Sequence, residues 1–445
     1  MLTFKGKYTT ADVMIDDVDE TTISQIYEFI NNYSFTNPVK IMPDTHAGKG
    51  AVIGFTMPIG NNVIPNIVGV DIACGMLSIR LDPKVLEDKD LAELDKRIRA
   101  EVPMGGNVHT APRFHMEREF NWAKVQLDAS AFTREFNKRY DTNYVCPKID
   151  YDWFLLLCKR VSIRKKSKNF DEYVVNSIGT LGGCNHFIEI GVDERDYVWI
   201  TVHSGSRNLG LRIATYWQEV AVKDLEDEKS TAITEIFDLI KEKHPKEKWQ
   251  EMFQGVRDMV PKTPKGLEPL YGEHMYSYLI DTIFTYHYAE DNRWIMMDSI
   301  MAALEASYSD MYEDITTVHN YVDYKDLIIR KGAISSYPGA KMIIPFNMED
   351  GTLICEGKGN PDWNFSAPHG AGRLFSRAVA KEKLSVGDAR NAMEARNIYA
   401  SVLPADELKG AYKSSEVIEM AIEPTATILH RIKPIMNLKA GEMGE

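Results

Sequence analysis

No long hydrophobic run interrupts this sequence. Nowhere in its 445 residues do apolar side chains continue for the roughly 18–20 positions needed to cross a bilayer, which excludes a membrane-spanning helix. The opening MLTFKGKYTT lacks a basic segment leading into an apolar core, so a secretory signal is not expected and a cytoplasmic location is. Cysteine is scarce. Cys74, Cys146, Cys158, Cys184 and Cys355 form an odd set without paired spacing, which argues against a disulfide framework and for a reducing compartment. The glycine-rich G-x-G-x-x-G and G-x-x-x-x-G-K-[ST] phosphate loops are both missing, so any nucleotide is held in another way. Basic residues are in the minority, 52 Lys and Arg against 65 Asp and Glu, for a net charge of −13. A uniformly basic nucleic-acid surface is therefore excluded, and phosphate recognition would be confined to a cleft. The local exception is residues 159–168, where Lys159, Arg160, Arg164, Lys165, Lys166 and Lys168 crowd together. Alone, such a run reads as a solvated face. It becomes an RNA-phosphate track only beside a catalytic site.

What is present is the composition of a globular chain, 44% hydrophobic and 26% charged. Residues 20–32 and 84–101 carry helical apolar spacing. Residues 38–80 and 177–204 are dense in Gly, Val and Ile and read as short buried strands joined by tight turns, with VWITVH as one such strand. A mainly helical segment runs from about 208 to 320 and contains a charged, insertion-like stretch at 240–266. Residues 326–357 return to strand texture, and 378–400 is helical. Strand-rich segments alternate with helical blocks rather than with single helices, which predicts an α+β fold. No repeat or linker divides the chain, so one catalytic domain over 1–445 is expected.

The histidines of the glycine-rich segments are unusual in their placement. His46 lies in PDTHAGKG, His186 in GGCNHFIE, His203 in VHSGSR, His319 in TTVHNY and His369 in SAPHGAGR. A lone histidine at a strand end is commonly a hydrogen-bonded core residue. Several together with Asp71 and Cys74, spaced i and i+3 in VGVDIACGM, make a transition-metal ligand set. In HGAGR the small residues Gly370, Ala371 and Gly372 leave the His369 imidazole unobstructed. Arg373 and Arg377 follow at four-residue spacing, and Arg207 follows a tight turn in HSGSR. Guanidinium forks suit phosphate oxygens, or the chain's many carboxylates. These residue types point to metal-assisted handling of phosphate and leave the reaction open.

The blocks VGVDIACGM, GTLGGCNHFIEI, VHSGSRNLG, VHNY, RKGA and HGAGRLFSR, in that order, resemble the signature blocks of the RtcB family of RNA-splicing ligases, from about residue 40 to 441. The resemblance implies mixed β-sheets forming a central pseudo-barrel flanked by helices. It implies joining of RNA 3′-phosphate or 2′,3′-cyclic-phosphate ends to 5′-hydroxyl ends, in tRNA splicing or RNA repair. His369 would attack the α-phosphate of GTP and carry GMP. Asp71, Cys74, His186, His203 and His319 would hold two Mn²⁺ ions, with Cys74 bridging them. Asp44 and His46 would stand behind the metal ligands or be structural. Asn185, Phe187, Glu189, Tyr412 and Lys439 would surround the nucleotide, and Asn347 and Thr352 could bond a base or phosphate. Arg207 would grip the RNA end, with Ser204, Arg373 and Arg377 assisting at phosphates. Archease is the protein partner the resemblance implies. The chain departs from the family at Ile344–Glu349, where IPFNME replaces IPGSMG, at His287–Arg293, where HYAEDNR replaces NYAxxNR, and at Cys184. A binuclear metal phosphohydrolase, such as a cyclic phosphodiesterase, would use the same metal ligands and have no need of His369. A non-catalytic RNA-binding relative would have lost ligands.

Overall fold

The computed structural model describes residues 1–162, 169–260 and 263–441. Of the basic run, Lys159 and Arg160 end a helix at Tyr151–Ser162; Arg164, Lys165, Lys166 and Lys168 lie outside the described residues. The α+β expectation holds. The larger sheet is antiparallel throughout, in the order Met311–Val318, Gly75–Leu81, Val198–Ser204, Phe187–Val192, Ala426–Leu438, Gly351–Gly357, Lys341–Asn347. It curls into a half-barrel. Its two edge strands approach closely enough for Ile315 and Ile343 to share one apolar cluster with Met76, Trp199, Ile354 and Ile432, and for Lys341 to pair with Glu313.

The strands read as continuous apolar runs because both faces are covered. Leu77, Ile79, Leu81, Ile188, Ile200 and Val202 pack outward against Met296, Met297, Ile300 and Met301 of the helix Gly272–Leu304. Burial of such a side chain contributes about 1.5–3 kcal/mol, so this face is a main source of stability. The smaller sheet runs Leu2–Lys5, Thr10–Val13, Val39–Ile41, Phe55–Pro58, Ile328–Lys331, Asn320–Val322. Its single parallel pair, Thr10–Val13 with Val39–Ile41, needs a crossover, and the helix Glu20–Ile30 supplies it. Phe29 of that helix meets Phe35 and Phe55 at ring distances of 5.4 and 5.3 Å.

Three sequence expectations need correction. The helix expected over 84–101 is Leu91–Glu101 alone, because the Asp90 carboxylate accepts from the backbone N–H groups of Ala92 and Glu93 and starts the helix there. The helical segment ends at Leu304, short of 320. Glu305 takes a left-handed conformation as C-cap, and the alternating Met311–Val318 becomes a strand. The insertion-like stretch 240–266 is itself largely helical among the described residues. The helix Arg207–Lys243 continues into it, and Trp249–Met259 folds back so that Phe253 stacks on Phe237 at 4.0 Å. The 378–400 segment is two helices, Arg377–Lys383 and Val386–Ala395. Among the described residues no helix is long and apolar enough to cross a membrane.

Candidate metal centre and nucleotide cavity

Antiparallel register gathers the predicted ligands at one end of the half-barrel. Gly75 pairs with both Ser204 and Val318, and Phe187 pairs with His203. Cys74, His203, His186 and His319 therefore fall side by side, although they are up to 245 residues apart in sequence (319 − 74). Cys74 Sγ lies 3.4 Å from His186 Nε2 and 3.3 Å from His203 Nε2. His203 Nε2 is 3.3 Å from His319 Nε2, and His186 Nε2 is 3.0 Å from Asp71 Oδ2. Two ligand groups result, Asp71–Cys74–His186 and Cys74–His203–His319, with the sulfur common to both.

The donor set fits metal ions. His186 Nδ1–H donates to the Leu181 carbonyl at 2.9 Å, so in the neutral ring Nε2 turns a lone pair toward a carboxylate and a sulfur. Lone pairs converging on one point need a cation between them, either a proton or a metal. Burial also lowers the basicity of His203 and His319, holding both imidazoles in the neutral form that ligates. Burial and the neighbouring Asp71 push the Cys74 thiol far up, whereas a coordinated cation would deprotonate it. Burial works against the Asp71 anion too, but His186 and Arg207 outweigh it and hold the carboxyl below its usual range.

The packing around the ligands leaves no spare room. A Cβ on Gly205 would lie 2.2 Å from Asp71 Oδ1, so only glycine lets that carboxylate reach the cluster. The residues behind the cluster were legible in the sequence only as an altered block. Asn292 accepts from the backbone N–H groups of Gly179 and Thr180 and donates to Ser204 Oγ and the Gly205 carbonyl. Arg293, fully buried, donates to the carbonyls of Ala73 and Ser204. One helical pair thus ties together the three segments that carry Cys74, His186 and His203. The Ser204 hydroxyl is spent on the Leu181 carbonyl at 2.8 Å and does not face the cavity. Arg207 sits beside the cluster, held at Thr180 Oγ1 and the Gly105 carbonyl.

Next to the metal ligands opens a cavity of about 310 Å³, within the range of small-molecule sites. His369, Gly370, Ala371 and Gly372 form one wall, and Asn185, Phe187 and Glu189 another. His369 lies against the metal ligands, its ring 4.7 Å from that of His319. Asp44, buried and expected to stand behind the metal ligands or to be structural, is the direct partner of His369. His369 Nδ1–H donates to Asp44 Oδ2 at 2.7 Å, and the His369 backbone N–H donates to the same oxygen at 3.2 Å. Nε2 is thereby left with the free lone pair. Gly372, at φ 76°, permits the approach, since a Cβ there would lie 2.2 Å from the Asp44 carbonyl oxygen. Lys413 fixes the Asp44 loop from behind, donating to the carbonyls of Pro43 and Thr45 at 2.9 Å.

Arg373, Arg377, Tyr412 and Lys439 all line the cavity, and all converge on Glu407, which sequence reasoning missed. Lys439 Nζ is 3.1 Å from Glu407 Oε2, the Tyr412 hydroxyl donates to that oxygen at 2.7 Å, and Arg377 and Arg373 reach Oε1 at 2.7 and 3.3 Å. Burial alone would raise Glu407, but Lys439 and Arg377 pull it below the usual carboxylate range. Both arginines are therefore anchored on carboxylates while facing the cavity. Asn347 also lines it, yet its side-chain oxygen accepts from Glu349 and Asp350 N–H groups and shapes the altered IPFNME turn. Phe346 and Met348 of that turn supply apolar lining.

Thr352 acts through Glu189, donating to its Oε1 at 2.7 Å. Burial raises Glu189 to about 7, against the opposing pull of Thr352 and Lys439. Between about 4.5 and 7 the folded chain thus keeps a proton that the unfolded chain releases. Glu189 consequently costs stability as pH rises through that window. Glu189→Gln is neutral throughout, so its melting temperature should gain on the parent from pH 5 to about pH 7 and level off towards pH 8. A gap that stays constant over that range would show that the carboxyl is ionised all along.

This is the arrangement of a candidate metal centre set beside a small-molecule cavity. The family model described as tRNA-splicing ligase RtcB matches residues 25–440, and the chain belongs to that family. It is similar to the RNA-splicing ligase RtcB of Escherichia coli K12, 28% identical over 424 residues that cover 90% of each chain. It is also similar to the tRNA-splicing ligase RtcB of Nanoarchaeum equitans, 24% identical over 462 residues covering 90% of this chain and 87% of the other. A third relative, the tRNA-splicing ligase RtcB of Aeropyrum pernix, is 25% identical over 447 residues, 89% of this chain and 86% of that one.

Proposed function

We propose that this protein is an RNA ligase that joins a 3′-phosphate or 2′,3′-cyclic-phosphate end to a 5′-hydroxyl end through GMP carried on His369, with GTP and Mn²⁺ as cofactors, in the cytoplasm. The observation that carries the reading is the Asp44–His369 hydrogen bond at 2.7 Å, placed against the metal ligands at the mouth of a nucleotide-sized cavity. A hydrolase that activates water at the same ligands would gain nothing from an imidazole oriented in this way.

Asp44 holds His369 in the tautomer whose Nε2 can attack the α-phosphorus of GTP. As the N–P bond forms, the ring gains positive charge and the buried carboxylate stabilises it; pyrophosphate leaves. The N–P bond then breaks as a 3′-phosphate oxygen of the RNA takes the GMP, which turns an unreactive monoester into one with a leaving group. Attack by the 5′-hydroxyl forms the new phosphodiester and expels GMP. Bound at Asp71, Cys74, His186, His203 and His319, Mn²⁺ would supply charge neutralisation at the phosphates. Arg207 stands beside the cluster, suited to an RNA phosphate. Glu189, positioned by the Thr352 hydroxyl and lining the cavity, offers an acceptor to a base that carries N–H donors, as guanine does.

The joining assay tests this directly. RNA labelled in its 3′-phosphate and mixed with a 5′-hydroxyl RNA, GTP and Mn²⁺ should give a longer product whose label resists phosphatase. Release of labelled phosphate, or ring-opening of a cyclic phosphate without joining, would make the protein a phosphohydrolase. Asp44→Asn retains a hydrogen-bond acceptor but lacks the charge, and it should slow loading of His369 on the order of 10²-fold with Mn²⁺ binding unchanged. Loading at the parent rate would remove Asp44 from the mechanism.

A further inference from the structure

A second cavity of about 310 Å³ lies away from the metal centre, against the helices Tyr151–Ser162 and Gly272–Leu304. Its lining includes three aromatic rings and one ion pair, with the Glu273 carboxylate at its side. Tyr144 and Tyr276 stand with their rings stacked at 4.8 Å, and Trp153 forms a further wall. Arg160 Nη2 donates to Asp281, which is buried and also accepts from Trp217 Nε1 at 2.7 Å. The guanidinium also lies over the rings of Tyr216 and Trp217 at 5.5 Å, so its position is fixed on several sides. Arg160 remains about one-third exposed, and its Nη1 has no hydrogen-bond partner among the described residues.

Burying such a pair is a poor route to stability, since two charges must leave water and apolar residues of the same volume often do as well. Nothing in the phosphate-transfer site uses it. Aromatic rings beside a fixed guanidinium with a free N–H edge suit a planar heterocycle that carries hydrogen-bond acceptors. A nucleobase is such a group, with a face to stack and carbonyl or ring-nitrogen acceptors at its edge. The position favours the same ligand. Asp281 and Arg293 share one helix twelve residues apart, so the cavity lies about 18 Å along that helix from the residue tied to the metal-ligand strands.

We infer that this cavity is an RNA exosite, taking an unpaired base of the substrate strand between Trp153, Tyr144 and Arg160 several nucleotides from the end being joined. The inference rests on the RNA-ligase reading above. It gives the enzyme affinity for single-stranded RNA beyond the reacting phosphate, in a chain whose net charge is unfavourable for holding RNA by electrostatics alone.

Crosslinking to the unaltered protein tests it without risk to folding. A single-stranded RNA of about twelve nucleotides carrying 4-thiouridine at successive positions should crosslink to peptides containing Trp153, or Tyr276 and Asp281, from positions distant from the 3′ end. In parallel, Trp153→Ala should weaken binding of that RNA about tenfold, measured by fluorescence anisotropy, which is within the range for loss of one stacked base. Loading of GMP on His369 should be unchanged in that variant, as should joining of RNAs too short to reach the cavity. Crosslinks confined to the metal centre, with equal affinity in Trp153→Ala, would overturn the exosite and leave the cavity to a protein partner. Failure of His369 loading in the parent would instead sink the ligase reading, while the crosslink still reports on the exosite.

Discussion

His369→Ala should leave a folded protein that binds Mn²⁺ like the parent and joins no RNA. The loss in joining rate should be on the order of 10⁴-fold or more, about 5.5 kcal/mol in the barrier, because no other side chain can replace an attacking nitrogen. Folding should be little affected. Among the described residues the imidazole has only Asp44 as a hydrogen-bonding side-chain partner, and it faces the cavity, so removing it opens space that solvent can enter rather than a void in the core. The informative comparison is with ring-opening of a 2′,3′-cyclic phosphate. That step needs the metal ligands and no covalent carrier, so it should persist if the RNA is opened before GMP transfer. Substantial joining by His369→Ala, measured with GTP and Mn²⁺ at saturation, would show that the carrier is another residue.

Cys74→Ala should have an equally large effect for a different reason. The sulfur belongs to both ligand groups, with His186 at 3.4 Å on one side and His203 at 3.3 Å on the other. Its removal takes one ligand from each metal position at once, whereas His319→Ala touches only one. Metal analysis of dialysed protein should therefore find two Mn²⁺ per chain in the parent, about one in His319→Ala and close to none in Cys74→Ala. Thermal stability gives an independent reading. At a hundredfold excess over its dissociation constant a ligand stabilises the folded state by about 2.7 kcal/mol, so added Mn²⁺ should raise the parent melting temperature by several degrees and leave Cys74→Ala unmoved. A Cys74→Ala protein that retains two ions would place the bridge elsewhere.

The sequence carried much of this because the chemistry of the site uses uncommon residues in small blocks. A cysteine, an aspartate and several histidines at strand ends among glycines remain visible without coordinates, and register then brings them together as expected. The half-barrel was less legible. Its strands come from residues 75 to 438, and closure depends on contacts such as Ile315 with Ile343 that no local pattern announces. Boundaries suffered where one side chain decides them, as Asp90 does for the helix that starts at Leu91. The role of Asp44 was missed because nothing local distinguishes a carboxylate in a turn from one that orients a histidine 325 residues away. Glu407 was missed for a similar reason. An acidic residue in a loop signals nothing until four donors from separate segments are seen to meet on it. Of the two partners that guanidinium forks suit, Arg373 and Arg377 take carboxylates, and both nevertheless face the cavity.

The altered IPFNME turn bears on which nucleotide is accepted. It adds the apolar side chains of Phe346 and Met348 to the cavity and spends Asn347 on its own backbone, which leaves Glu189, held by the Thr352 hydroxyl, as a buried carboxyl lining the cavity. Above about pH 7, where Glu189 is ionised, its carboxylate would repel the ring-nitrogen acceptor that adenine presents at its pairing edge and would accept from the N–H groups of guanine. On that ground GTP should be preferred to ATP, and Glu189→Gln should narrow the preference.

The most direct measurement is transfer of label from GTP to the protein. Purified protein freed of bound nucleotide would be incubated with Mn²⁺ and GTP labelled at the α-phosphate, then denatured and digested. Label should appear on one peptide, the one containing His369, and it should be lost in acid and kept in alkali, as expected of a phosphorus–nitrogen bond to imidazole. Protein that takes up no label from GTP or ATP under these conditions, yet still consumes RNA 2′,3′-cyclic phosphate, would contradict the account and make the centre a metal-dependent phosphohydrolase.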